Sequence, residues 1–212
     1  MTDHRDHYHH GNLREALVDA AKCLIAESGV AGLSLRQVAK HAGVSQAAPY
    51  HHFPNKDAML AELAGRGFAM LIDALQSATA HEDPVERMRA MGHAYVRFGL
   101  EQPAIYRLMF GAEFCPVEAY PSLQEAGSTA FGTLVMAVQY GQASGAFAGS
   151  EPMAPSLAVW SSMHGLVSLL QNKIHEKKEM AGQQITTETM SEATIAFVLH
   201  GLTAGAAPTL PG

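Results

Sequence analysis

The residues best suited to chemistry lie between positions 29 and 57, GVAGLSLRQVAKHAGVSQAAPYHHFPNKD. Gln46 and His51 can both donate and accept hydrogen bonds, and Ala47 offers a bare methyl group. A Gln amide can pair with both polar edges of an adenine, and an alanine methyl can pack on the methyl of thymine. Such recognition requires these side chains to stand on a short element slim enough for a groove of a duplex. The spacing around them meets that requirement. Ala42-Gly43-Val44-Ser45 separates two short helical stretches, and Gly43 can take the positive φ of a tight interhelical turn. Val38, Ala39 and Val44 supply small apolar contacts where the two helices cross. Ser45 is expected to satisfy free N–H groups at the start of the second helix, which is expected to run from Gln46 to about His52 and to be closed by Pro54.

The surrounding elements read as helices throughout. Leu13, Ala16, Leu17, Ala20, Leu24 and Ile25 recur with helical spacing, with Asn12 and Glu15 as a start and Gly29 as a stop. Ser34-Leu-Arg-Gln37 is a capping box that opens the first short helix. Asn55 caps a long helix through Met59, Leu63 and Met70 toward Leu75. Asp83-Pro84-Val-Glu86 opens another, which ends near Glu101 before Pro103. A short apolar segment follows at 105–110, then a loop over 111–121. Further helices are expected from Ser122 to about Gly141, from Pro152 to about Ile174, and over 187–204. The expected fold is therefore all-α, with about nine helices. The N-terminal three-helix unit over residues 1–55, with 1–10 as a flexible arm, precedes a helical body over residues 56–212.

Composition narrows the function classes. The chain has 212 residues, 48% of them hydrophobic and only 16% charged, with a net charge of −6. This is ample for a core and unlike a disordered chain. The mean hydropathy is +0.01, and no continuous apolar run reaches the ~18 residues of a membrane span. The opening MTDHRDHYHH is polar, unlike a secretory signal. Cys23 and Cys115 lie far apart and form neither a disulfide framework nor a zinc motif. A cytoplasmic setting with reduced thiols, no membrane association and no cofactor or metal is expected. Residues 1–56 carry a net +1 and seven of the twelve histidines, while the remainder carries −7. The head is thus near neutral and the body acidic.

The segment resembles the TetR family of transcriptional regulators. The resemblance rests on Ser34, Val38-Ala39, Ala42-Gly43-Val44-Ser45, Tyr50, Phe53 and Lys56, within about fifty residues from Asn12 onward. Trp160, His164 and Gly165 further resemble the C-terminal domain class of that family named for its Trp-His-Gly motif. The resemblance implies a homodimer, each subunit having an N-terminal helix-turn-helix DNA-binding domain and a C-terminal helical domain for ligand binding and dimerisation. It implies phosphate contacts from Ser34, Tyr50 and Lys56 and base contacts from Gln46, Ala47 and His51, with Arg36 and Ser45 in the same DNA-binding set. The partners implied are double-stranded operator DNA and a small hydrophobic effector that releases a repressor from a palindrome. Pro49 departs from the family, which usually carries an aliphatic residue there. In the first helical turn it would forfeit little bonding. The expected second helix, from Gln46 to about His52, also lacks Arg and Lys, so histidine charging is expected to raise operator affinity as pH falls from about 8 to 6.

Other candidates carry two readings each. Met70, Met88, Met91, Phe98, Met109, Phe110 and Phe114 form either an adaptable apolar pocket or plain core. Trp160 and His164, one helical turn apart, line that pocket or pack within the core. Leu166, Val167 and Leu170 on one late helix, with Phe197, Val198 and Leu202 on the last, form a four-helix dimer interface or pack internally. His4, His7, His9 and His10 read as a disordered arm, with a metal site as the alternative, and Cys115 as an ordinary thiol or a redox sensor. The rival functions are an all-helical enzyme using His93 or His164 and a ligand-independent DNA-binding protein.

Overall fold

The computed structural model describes residues 13–111, 119–173 and 185–204. Among these residues there are eight α-helices and one short 3₁₀ turn, with no strand. The helices are α1 (Leu13–Ser28), α2 (Leu35–His41), α3 (Lys56–Ala78), α4 (Pro84–Glu101), α5 (Pro103–Phe110), α6 (Pro121–Ala143), α7 (Met153–Gln171) and α8 (Thr187–Thr203). The chain forms two compact units. The first comprises residues 1–67 and 104–124, and the second 68–103 and 125–212. Helix α3 runs through both, whereas the sequence places a boundary at residue 55. The arm with His4, His7, His9 and His10, together with Asn12, Phe114 and Cys115, lies outside the described residues.

Local signals in the sequence set most helix starts. Ser34 accepts from the N–H of Gln37 at 3.3 Å, and its hydroxyl donates to the Gln37 side-chain oxygen at 2.7 Å. Asn55 accepts from Ala58 N at 2.8 Å, opening α3. Asp83 accepts from the N–H groups of Val85 and Glu86 at 2.8 and 2.9 Å, with Pro84 at the first helical position. Thr186 likewise accepts from Thr189 N at 3.1 Å at the head of α8. Each bond accepted from the main chain satisfies an N–H that has no partner within its own helix.

In the first unit, Leu17, Ala21 and Ile25 of α1 are buried with Val38 and Ala39 of α2, and with Met59, Leu60 and Leu63 of α3. A Cβ added at Gly67 would lie 2.5 Å from Met109 Sδ and 2.6 Å from Ile105 Cγ2. Glycine therefore permits the close crossing of α3 and α5. Four charged side chains tie α1 to α3. Arg14 donates to both carboxylate oxygens of Glu62, at 2.8 and 2.7 Å. Arg66 also donates to Glu62 at 2.8 Å and forms a forked pair with Glu15.

The second unit is a bundle of α4, α6, α7, α8 and the latter part of α3. A Cβ at Gly99 would lie 2.4 Å from Val167 Cγ1, so α4 and α7 cross there in close contact. Gln171 donates to the Gly99 carbonyl at 2.8 Å, reinforcing that crossing. Helix α7 is apolar all round. Over an 18-residue window of its 19 residues the mean hydropathy is 1.2, so the helix is long and apolar enough by that measure to cross a membrane. Ser and His residues interrupt it, so no unbroken apolar run marks this helix in the sequence. Val159, Met163, Leu166, Val167 and Leu170 are buried in the unit, as expected of a helix deep in a bundle.

Part of the expected dimer surface lies within the single chain. Leu166, Val167 and Leu170 of α7 and Leu202 of α8 are core residues of a single chain, at most 6% exposed. They are unavailable to a second copy. Val198 is half-buried, and of the six positions Phe197 alone stands out, at 75% exposure. The outward face of α7 carries Leu157, Ser161, Gly165 and Leu169 instead.

Candidate functional site

The turn between α2 and the next element forms as its residues require. Gly43 has φ +70°, a conformation that costs glycine little. The N–H of Val44 donates to the Ala39 carbonyl at 3.0 Å, closing the turn. Val38, Ala39, Pro49 and Phe53 are buried beneath it.

The element after the turn differs from expectation. In place of a helix from Gln46 to His52, there are turn residues at 46–47 and a 3₁₀ helix over Ala48–His51. Pro49 is the physical reason. It has no N–H to donate to the Ser45 carbonyl four residues back, and it disfavours helical geometry at Ala48. The Ser45 carbonyl instead accepts from Ala48 N at 3.0 Å, and Tyr50 N donates to Ala47 at 3.1 Å, the tighter i to i+3 pattern. Ser45 thus contributes its main-chain carbonyl, and no side-chain cap opens the element. The outcome is an ordered protrusion. Ser45, Gln46, Ala47, Tyr50 and His51 are all exposed, with Tyr50 at 52%, over buried Pro49 and Phe53.

The structure separates the candidate phosphate contacts. Arg36 lies exposed on α2, as do Lys40 and His41 at its C-terminal end. Ser34 is engaged in its helix cap. Lys56 is half-buried, and its ammonium donates to the Val30 carbonyl at 2.7 Å. The carbonyl of the α1–α2 turn thus receives the cation at the start of α3. Two more cations of this unit, Arg14 and Arg66, are held in ion pairs. Arg66 holds the Glu15 carboxyl below its ordinary range, and Arg14 does the same for Glu62. Sequence reading missed this network, since its partners lie 48 and 51 residues apart.

The second unit contains an apolar cavity of about 30 Å³, room for little more than a water. Met88, Met91 and Tyr95 line it from α4, and Trp160 and Met163 from α7. Ile195 and Leu199 close it from α8. Trp160 meets the rings of Tyr95 and Phe131 edge-on, at centroid distances of 5.9 and 5.5 Å. The Tyr95 hydroxyl lies 3.4 Å from His164 Nδ1, and burial holds the His164 pKa below its ordinary value.

Of the expected pocket residues, Met91 and Trp160 line this cavity, as does Met88. Met70 is exposed, Phe98 is buried away from the lining, and Met109 and Phe110 belong to the first unit. His164 borders the cavity through Tyr95. Leu75, Leu134 and Val159 also line it and were missed, because nothing in the sequence separates a lining aliphatic from a core one. His93 lies apart in an open groove between α4 and α8, 3.4 Å from a Glu192 oxygen.

Comparison with known proteins agrees with this geometry. Residues 17–63 match the family described as "Bacterial regulatory proteins, tetR family". Residues 88–185 match "Tetracyclin repressor-like, C-terminal domain". An uncharacterized HTH-type transcriptional regulator of Bacillus subtilis (strain 168), YobS, is 33% identical over 96 residues, covering 45% of this chain and 50% of the relative. The chain thus spans about half the length of the curated relatives it matches. A solved protein of unknown function from Rhodococcus sp. RHA1 is 32% identical with a TM-score of 0.81, over 93% of this chain and 99% of that one. The TetR family transcriptional regulator PfmR from Thermus thermophilus shares the fold at 21% identity, with a TM-score of 0.67 over 89% and 97% of the two chains.

Proposed function

Because this chain belongs to the tetR family of bacterial regulatory proteins, we propose that it is a homodimeric repressor that binds a palindromic operator and releases it when a small apolar effector occupies the second unit. The observation that carries the reading is the exposed segment Ser45-Gln46-Ala47 with Tyr50 and His51, seated on buried Pro49 and Phe53. Gln46 and His51 read base edges there, Ala47 meets a thymine methyl, and Tyr50 and Arg36 contact phosphates.

The dimer reading draws on Leu157 and Leu169 of α7, each 42% exposed, and on Phe197 of α8 at 75%. Large apolar side chains so exposed on two adjacent helices favour burial against a second copy. Gly165 and Gly201 are exposed, and a Cβ at either would meet nothing within 4 Å. The dimer then sets two heads about one DNA turn apart, ~34–36 Å. Trp160, His164 and Gly165 on α7 support a body of the Trp-His-Gly class. An effector acts by binding more tightly to the state that does not hold DNA.

Selection of bound duplexes from a random pool by the purified protein tests this reading. An enriched palindrome with half-sites about ten base pairs apart is expected. A pool that stays random through successive rounds contradicts it.

A further inference from the structure

The turn that carries Gln46 and His51 is short, and its own backbone does little to hold it in place. Its 3₁₀ helix has four residues, Ala48–His51, and such turns have poorer hydrogen-bond geometry than an α-helix. Its orientation therefore depends on the two buried side chains that anchor it, Pro49 and Phe53. Phe53 anchors it twice. Its N–H donates to the Pro49 carbonyl at 2.8 Å, and its ring is packed into the unit at 2% exposure.

Arg14 of α1 holds that ring. Its guanidinium carbon stands over the Phe53 ring, 5.2 Å from the centroid, within reach of a cation–π contact. The same guanidinium is fixed by Glu62 of α3, whose two carboxylate oxygens accept from its Nη1 and Nη2 at 2.8 and 2.7 Å. Such a fork sets the plane of the group as well as its position. Glu62 is held in turn by Arg66 at 2.8 Å, and Arg66 by Glu15. The network thus reaches from α1 and α3 to the residue that closes the protruding turn. Arg14 stands in the first turn of α1, where the helix dipole disfavours a cation. Its contacts account for its place there. A lysine would supply the charge, but only arginine offers a fork to Glu62 and a flat face to Phe53 together.

We propose that Arg14 is a positioning residue for base reading: through Phe53 it fixes the turn that carries Gln46, while its own charge is matched by Glu62 rather than by a phosphate. The inference rests on reading that turn as the DNA-reading element. A Gln paired with both polar edges of adenine needs two aligned hydrogen bonds, which weaken steeply with misalignment. Loss of Arg14 should therefore appear in discrimination between bases.

The test uses the full-length protein, the selected operator duplex, and duplexes altered symmetrically at each half-site position. Gln46→Ala identifies the pair that Gln46 reads. The quantity measured is the ratio of affinities for the operator and the duplex altered at that pair, together with the salt slope of log K. A variant that is only less stable leaves the ratio unchanged, because the folded fraction cancels. Arg14→Ala should lower the ratio from about tenfold or more to about threefold or less, at an unchanged salt slope. Arg14→Lys, which keeps the charge, should lower the ratio in the same direction, and it decides the matter if Arg14→Ala does not fold. In the Gln46→Ala background, neither change should alter the ratio further. An unchanged ratio in the folded Arg14 variants overturns the positioning role. A salt slope lowered by about one at an unchanged ratio makes Arg14 a phosphate contact instead. A pool that stays random, or a consensus that Gln46→Ala leaves unaltered, defeats the reading on which the inference rests.

Discussion

Gln46, Arg36 and Lys56 are all polar residues of one head, yet their surroundings give them different tasks. Gln46 is exposed beyond the turn, so its amide is free to choose between bases. Replacing it with alanine should change base preference at one half-site position, at about 1–3 kcal/mol for the preferred base. Arg36 is exposed on α2 and contributes charge without sequence information. Arg36→Ala should weaken all duplexes alike and lower the salt slope of log K by about one, as read from titrations at several salt concentrations. Lys56 is engaged internally with the Val30 carbonyl. Lys56→Ala should therefore lower head stability by about 1.5 kcal/mol, measured by denaturant unfolding, with a smaller change in salt slope than Arg36→Ala. The sequence alone ranked Lys56 with the phosphate contacts, because its carbonyl partner lies 26 residues away.

At the scale of elements, what the sequence reveals depends on how far a signal must reach. Caps at Ser34, Asn55, Asp83 and Thr186 act within three residues, and the helix starts they mark are legible. Gly43 is legible for the same reason, since a tight turn demands its positive φ. The effect of Pro49 is local too, but sequence reading weighed the proline against a full helix rather than against a 3₁₀ turn. Faces of α7 are illegible because apolar residues surround it, so only packing decides that Val167 points inward and Leu169 outward. The Arg14–Glu62 and Arg66–Glu15 pairs join α1 to α3 across sequence separations that no periodicity reveals. They lead to a pH prediction. Arg14 lowers the Glu62 pKa below its ordinary 4.5, so the pair contributes stability above that pH and loses it on acidification through the lowered value. Glu62→Gln should destabilise the protein at pH 7, and the gap from wild type should close as pH falls below 4.5, followed by thermal unfolding.

For the molecule as a whole, the weak positive charge of the head becomes a design constraint. Arg14 and Arg66 are paired with Glu62 and Glu15, and Lys56 is bonded to a carbonyl, leaving Arg36 and Lys40 as exposed cations near the protruding segment. Two such heads on one palindrome multiply modest contacts, whereas one head alone binds weakly. Phe197→Glu should give a folded monomer by light scattering and lower operator affinity by roughly a hundredfold or more. The central claim is that Gln46 and its neighbours read DNA sequence. Repeating the duplex selection with Gln46→Ala tests it most directly. Gln46→Ala should keep the palindromic spacing and alter preference at one symmetric pair of positions; an unchanged consensus at unchanged affinity removes Gln46 from base reading.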